Sequence, residues 1–302
     1  MKEEKPKVNF DLPALEIIDQ QSVRWSFIDT LIRMHGFREE DAESMYERES
    51  RYYKRAVQQS KTIAECTGLS LVSTFLEAAV NCLSLQPGQK SEAYIEARSS
   101  KIIREITEEK NGREVKIKKE VWVKLAGFVI TVYGELNLRI RAGQIIRANN
   151  PVVVYEGDHF QPRTNERGEL TVEYIPAVPR KSKKIIGCWV SLILPHNGID
   201  FKWLLEDDIE RLKNYSIPKS TSYNPKPSPN ALYVKNDGQI DPGFLEAKTL
   251  KHAFRAYTKL KLSQNVKLDG ETDNEEVAPF GPAQEEVPTV SIEPQNDDDD
   301  IF

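Results

Sequence analysis

QIIRANNPVVVYEGDHF, residues 144–160, runs a β-prone segment into a turn that carries three chemically capable side chains. Val152–Tyr155 favour a strand. Gly157 suits a turn that needs positive φ, and Asp158 suits a side-chain bond to its own backbone. Glu156, Asp158 and His159 also invite a different reading, a metal-dependent nuclease. That chemistry needs further Asp, Glu or His ligands from elsewhere in the chain, and no paired motif supplies them. The stretch therefore predicts a strand and a structural turn.

Flanking segments extend this reading. KIIREITEEKNGREVKIKKEVWVKL alternates on both sides of Asn111-Gly112, a strong hairpin cue. ELTVEYIPAV, KIIGCWVSLIL and IDFKWLL read as further strands, the last two joined by a His196-Asn197-Gly198 turn. EDDIERLKNY reads as a helix with acidic residues in its first turn. Residues 216–243 are rich in Pro, Ser and Asn and read as a long loop. GFLEAKTLKHAFRAYTKLKL closes as an amphipathic helix. Phe244, Leu245, Leu250, Phe254 and Tyr257 are its core candidates, with Lys248, Lys251, Arg255 and Lys259 on the other side.

The N-terminal part reads as helical. Residues 1–21 look like a loose leader. SVRWSFIDTLIRMHG places Trp25, Ile28, Leu31 and Ile32 on one stripe, with Gly36 as its stop. A long polar helix follows, with Met45, Tyr52, Ala56 and Ile63 available for packing. A third helix is expected to start at Ser70, to bury Leu71, Phe75, Ala79 and Cys82, and to stop at Pro87-Gly88. The expected domains are a leader over 1–21, a helical lobe over 22–88, an α+β core over 89–268 and a disordered acidic tail over 269–302.

The formal net charge of −5 is misleading as a guide to partners. Residues 269–302 hold 12 Asp and Glu and no Lys or Arg, so residues 1–268 hold 42 basic against 35 acidic groups. Residues 113–147 are more biased, with 8 Lys and Arg against 3 Glu. A basic body attracts phosphates, and an acidic tail modulates that attraction. Three widely spaced cysteines, Cys66, Cys82 and Cys188, fit buried thiols in a reducing cytoplasm. The start of the chain shows no signal-peptide pattern, and no run approaches a membrane span.

Catalytic motifs are lacking. Gly88-Gln89-Lys90-Ser91 matches only the end of a P-loop, and the first required glycine falls on Leu83. There is no H-E-x-x-H helix, paired C-x-x-C or G-x-S-x-G elbow. His35, His159, His196 and His252 are scattered, and no two share a face.

AGQIIRANNPVVVYEGDHF resembles the signature of the RecT family of phage-type single-strand DNA annealing proteins, which passes through an extended segment into a V-x-E-G-D-x-F turn. The turn here runs Val154-Tyr155-Glu156-Gly157-Asp158-His159-Phe160. FLEAAVNCLSLQPG, EAYIEAR, GELNLRIRAGQI and FLEAKTLKHAFRAY are similar to other family segments in the same order, over about residues 65–262. The chain departs from the family at Thr131-Val132-Tyr133-Gly134, where a glycine and a basic residue are missing. Its 99–131 hairpin is also longer than usual. ELNLRIR alternates like a strand, whereas the resemblance implies a helix.

The resemblance implies an α+β fold with a β-β-α-β-β-β-α core, an N-terminal helical lobe and a disordered acidic tail. It implies annealing of complementary strands in recombination and repair without nucleotide hydrolysis, with no cofactor and no catalytic residue. It implies homo-oligomeric rings or filaments and a partner exonuclease, in the cytoplasm of a bacterial or phage-infected cell. Passive strand coating is the other non-catalytic reading. The expected phosphate contacts are Arg139, Arg141, Arg147, Lys202, Lys248, Lys251 and Arg255. Lys181, Lys183 and Lys184 are further candidates in a turn. Tyr133 and Phe160 are candidates to stack on bases, with core packing the alternative. The 216–243 loop, with Lys219, Tyr223 and Lys226, is placed to close over DNA. Asp297–Phe302 resembles the acidic tip of bacterial single-stranded-DNA-binding proteins, without the usual proline before the phenylalanine; a solvated acidic tail is one reading, and docking to a partner or to the protein's own DNA site is the other.

Overall fold

Two long strands, β1 (Ala93–Lys110) and β2 (Arg113–Ile130), pair antiparallel from Ala93↔Ile130 to Lys110↔Arg113. The last pair of that register, Lys110↔Arg113, brackets the expected Asn111-Gly112 turn. Each strand has 18 residues, so the ribbon is roughly 60 Å long at about 3.4 Å per residue. The computed structural model describes residues 7–110, 113–166, 168–220, 226–262 and 266–269. The expectations for the conformation of Asn111-Gly112, for Tyr223 and for the tail beyond Asp269 lie outside those residues.

Four helices precede the hairpin: α1 (Gln21–His35), α2 (Glu39–Gln59), α3 (Lys61–Ala64) and α4 (Gly68–Asn81). Gly36 ends α1 with φ 71°, and its N–H donates to the Ile32 carbonyl at 3.0 Å. The buried face of α1 is Val23, Phe27 and Leu31, rotated from the expected stripe, and Trp25 and Ile32 are exposed. Phe27 stacks on Phe75 of α4 at 4.8 Å, and Tyr46 and Tyr53 of α2 meet Phe75 edge-on. The aromatic contacts with α2 and α4 select this face. The expected single polar helix breaks at Ser60, whose hydroxyl accepts from the Ile63 N–H and caps α3. Thr67, not Ser70, occupies the N-cap of α4. Ser70 instead donates to the Thr67 carbonyl and accepts from the Ala126 N–H at 2.9 Å, which ties α4 to β2.

The loose-leader expectation is corrected for its described part. Ile17 and Ile18 are fully buried, and the Tyr46 and Tyr53 hydroxyls donate to the Ile18 and Ala14 carbonyls. Two apolar residues at the entrance to α1 are enough to anchor the segment in the core. The helical lobe and the hairpin base share apolar packing across the expected 88/89 boundary. Ala93, Ile95, Phe128 and Ile130 at the hairpin base pack into the same cluster as Phe27, Tyr53 and Phe75.

A second sheet centres on β7 (Ile185–Ile193). One edge of β7 pairs with β3 (Arg147–Ala148) and β4 (Val152–Tyr155), and the other with β8 (Ile199–Leu205). Pro151, which lacks an N–H, falls in the interruption between β3 and β4. β5 (His159–Thr164) and β6 (Leu170–Ile175) form a separate hairpin. One face of the β7–β8 pair is covered by α6 (Glu206–Tyr215) and α7 (Pro242–Phe254), through Cys188, Leu204, Leu212 and Leu245. Between the sheets lies α5 (Val132–Arg141), capped by the Thr131 hydroxyl, which accepts from the Tyr133 and Gly134 N–H groups.

The chain is therefore α+β, with the implied order of hairpin, helix, sheet and closing helix. The last described element is β9 (Val266–Leu268), which pairs parallel with β2 and returns the chain to the first sheet. Within the expected loop, Tyr233 and Ile240 are buried, and Tyr233 meets Phe244 edge-on at 5.1 Å. That half of the loop is anchored on α7.

Candidate nucleic-acid interface

Three elements meet where α5, α7 and the β7–β8 sheet pack together. Arg139, expected as a phosphate contact, lies inside this junction at 4% exposure. Its guanidinium pairs with Glu135 at 2.6 Å, donates to Gln144 and the Thr258 carbonyl, and lies over the Phe254 ring at 5.1 Å. Lys251 donates to the other oxygen of Glu135 at 2.7 Å. Glu135 is itself almost fully buried. Arg139 and Lys251 are thus corrected: they neutralise a buried carboxylate and join α5 to α7, because a buried Glu135 requires compensating charge.

Lys202, Lys248 and Arg255 converge elsewhere. The focus is His252 on α7, which is largely covered by protein. Burial pushes its imidazole down to about 3, and the positive charges of Arg255, Lys202, Lys248 and Arg211 push in the same direction. Lys202 comes from β8, Arg211 from α6, and Lys248 and Arg255 from α7 and its end. Lys202, Arg211 and Arg255 are exposed, and Lys248 lies over the Phe244 ring at 5.3 Å. Arg211 also pairs with Asp208 at 2.8 Å. Cations from three elements around a neutral histidine form a patch where an incoming anion is electrostatically favoured.

Sequence reasoning missed Arg211 and His252. Arg211 read as an ordinary helical charge with Asp208 three residues before it. The signal for His252 was its place between Lys248 and Arg255 on one helix.

The remaining cations are dispersed. Arg147 is exposed on β3. Arg141 is exposed but donates to the Asn81 carbonyl at 2.6 Å, which holds α5 to the end of α4. Lys181 and Lys183 are exposed, whereas Lys184 pairs with Glu206 at 2.8 Å. Lys219 and Lys226 are exposed on the described flanks of the loop. Tyr133 is half-buried against the α7 core, with Lys90 over its ring at 5.9 Å. Phe160 is half-buried on β5.

At residues 156–159, Gly157 has φ 94°. Asp158 has no exposed side-chain surface. Its carboxylate accepts from the Tyr155 and Ala177 N–H groups at 3.0 and 2.9 Å and from the Tyr174 hydroxyl at 3.1 Å. Burial alone would raise the Asp158 carboxyl. These donors and Arg180 outweigh it and hold the group below the usual carboxylate range. Glu156 accepts from the Ser182 hydroxyl, and His159 pairs with Glu173 at 3.3 Å. The three side chains engage three different neighbourhoods. Among the described residues, no group of three His, Cys, Asp or Glu is placed to hold a metal ion. Among them, too, no helix is long and apolar enough to cross a membrane.

A helix-backed antiparallel sheet with exposed cations, joined to a helical lobe, makes an α+β protein. The RecT family profile matches residues 47–279, and the chain belongs to the RecT family. That family is one of DNA-binding proteins that anneal single strands in phage-type recombination and repair. Comparison with curated proteins gave no match.

Proposed function

We propose that the protein binds single-stranded DNA through Lys202, Arg211, Lys248 and Arg255, with Arg147 as an outlying contact, and anneals complementary strands without nucleotide hydrolysis. The observation that carries this reading is the match to the RecT family over residues 47–279, and the exposed Lys202, Arg211 and Arg255 on neighbouring elements are the surface assigned to it. Two single strands repel through their phosphates. Bound cations screen that repulsion and release counterions, so affinity falls with salt. Once the backbone is held, bases are free to test a second strand, and each correct stacked step contributes about 1.4 kcal/mol. The bases supply the sequence readout, so the protein needs no groove-reading helix. Identical copies aligned along one strand would continue the cationic track. The protein would act in the cytoplasm on strands exposed by an exonuclease, and it would not itself be an enzyme.

Annealing of two complementary oligonucleotides, without ATP and with or without EDTA, tests the reading. Pairing that is faster than spontaneous and survives EDTA is expected. Metal-dependent shortening of the strands would replace it with a nuclease centred on Glu156, Asp158 and His159. Tight binding that slows pairing would replace it with passive coating. Lys202→Glu with Lys248→Glu should weaken binding and reduce its salt dependence, by a log–log slope of about 0.7 per lost phosphate contact.

A further inference from the structure

We infer that the bases of bound single-stranded DNA stack on an aromatic platform formed by Trp189, Phe201 and Trp203, on the face of the second sheet opposite α6 and α7. The inference rests on the DNA-binding reading of Lys202 and its neighbours, and adds the surface that receives the bases. The platform follows from strand register. Cys188 and Leu204 are partners across β7 and β8, and both point into the core beneath α6 and α7. Side chains alternate along a strand, so the residues on either side of them point the other way. Register then sets Trp189 opposite Trp203, and Ser191 opposite Phe201, on that outer face. The ring centroid of Phe201 is 6.1 Å from that of Trp189, and Tyr174 of β6 meets Trp189 edge-on at 6.0 Å. Trp189, Phe201 and Trp203 each keep part of their surface in solvent. Ile199 and Leu205, at the two ends of the β8 row, are 53% and 40% exposed.

Three properties select a nucleic-acid strand as the occupant. The row is built of flat rings, on which any base stacks without regard to sequence. Stacking uses the faces of the bases and leaves their pairing edges open, as strand annealing requires. The second property is charge. The outward positions of β3, β4, β7 and β8 hold no Asp or Glu, and their one charged residue is Arg147, exposed opposite Ile193. A polyanion therefore meets no carboxylate there and finds a cation at one end of the face. The third is continuity with the phosphate contacts. Among the described residues β8 pairs with β7 alone, so its other edge is open. Lys202 stands between Phe201 and Trp203 on β8 and points to the opposite face. A strand that gives a phosphate to Lys202 at this edge has its bases one residue away from the rings.

The test uses the full-length chain with Trp25→Phe and Trp122→Phe, which leaves Trp189 and Trp203 as its tryptophans. Oligo-dT should quench their emission. An abasic strand of the same length carries the same phosphates and should bind without that quenching. Phe201→Leu with Trp203→Leu keeps apolar bulk and removes two rings. This pair should weaken oligo-dT binding by roughly ten- to a hundredfold and leave abasic-strand affinity unchanged. Trp203→Phe alone, which keeps a flat ring, should retain most of the affinity. Where the leucine pair fails to fold, the quenching comparison decides alone. Oligo-dT binding without quenching, or equal losses for oligo-dT and the abasic strand in the leucine pair, would overturn the platform and leave the phosphate contacts standing. Unchanged DNA affinity with a smaller oligomer would also overturn it and assign the face to a second copy of the chain. No binding of oligo-dT by the natural chain would overturn the DNA reading itself.

Discussion

Glu135 and Arg139, one turn apart on α5, pair at 2.6 Å with both side chains withdrawn from solvent. Lys251 of α7 completes the arrangement from the other side. Removing one partner from a buried ion pair leaves charge without compensation, at about 3–5 kcal/mol. Arg139→Ala should lower unfolding stability by that amount, measured by urea denaturation. Arg139→Lys should recover part of it, because the charge returns without the forked geometry. A stable Arg139→Ala protein that has lost DNA binding would return Arg139 to the interface.

His252 fixes the sign of a pH effect. Its folded value, about 3, lies below the ordinary histidine value. Between that value and about 6.5 the unfolded chain binds the extra proton, so stability falls as pH falls through this window. At pH 5 the contribution of this one group is a loss of about 2 kcal/mol relative to pH 8. Urea midpoints at the two pH values should differ less in His252→Gln than in the natural chain. Bound phosphate should favour the charged imidazole, so DNA binding should be accompanied by proton uptake that grows as pH falls toward the folded value. Calorimetry in buffers of different ionisation enthalpy measures that uptake directly.

Asp158 works in the opposite direction. Its depressed carboxyl contributes stability above the unfolded value of about 3.9, and the contribution is lost as pH falls through the folded value. Asp158→Asn should cost about 1–3 kcal/mol at neutral pH by weakening the bonds to Tyr155, Ala177 and Tyr174. The difference from the natural chain should shrink on acidification. Annealing per folded molecule should be unchanged.

Gly134 lies where α5 crosses the chain before β1. A Cβ there would sit 2.1 Å from the Glu92 carbonyl oxygen and 2.9 Å from the Ile130 side chain. The Glu92 carbonyl already accepts the Thr131 N–H at 2.9 Å. Gly134→Ala should therefore destabilise by about 1–3 kcal/mol despite its gain in helix propensity. Thermal unfolding checks this. An unchanged midpoint would show that α5 can shift away from β1.

The readable parts of the fold were those fixed by local chemistry. Asn111-Gly112 marked the hairpin, Gly36 ended its helix at positive φ, and Asp158 bonds its own turn. What failed was burial that depends on distant partners. The helix at α5 was legible only through the family resemblance: Leu136, Leu138 and Ile140 alternate like a strand because the buried line on α5 includes Glu135 and Arg139, which polarity-based periodicity counts as exposed. Arg139 looked like a surface cation until Glu135 and Phe254 were found around it. Lys202, Arg211 and Arg255 come from separate elements, so no sequence window contains the patch. Ile17 and Ile18 were too short a run to announce that they enter the core.

The closing strand β9 has a consequence for how far this protein can be shortened. Val266 fills part of the helical core, and β9 covers the free edge of β2 at Phe128, Val129 and Ile130. Trimming after Asp269 leaves that edge occupied. Trimming a few residues earlier bares backbone donors beside apolar side chains, an invitation to strand-to-strand clumping. Shortened versions should stay in solution down to Asp269 and then turn sticky within a handful of residues.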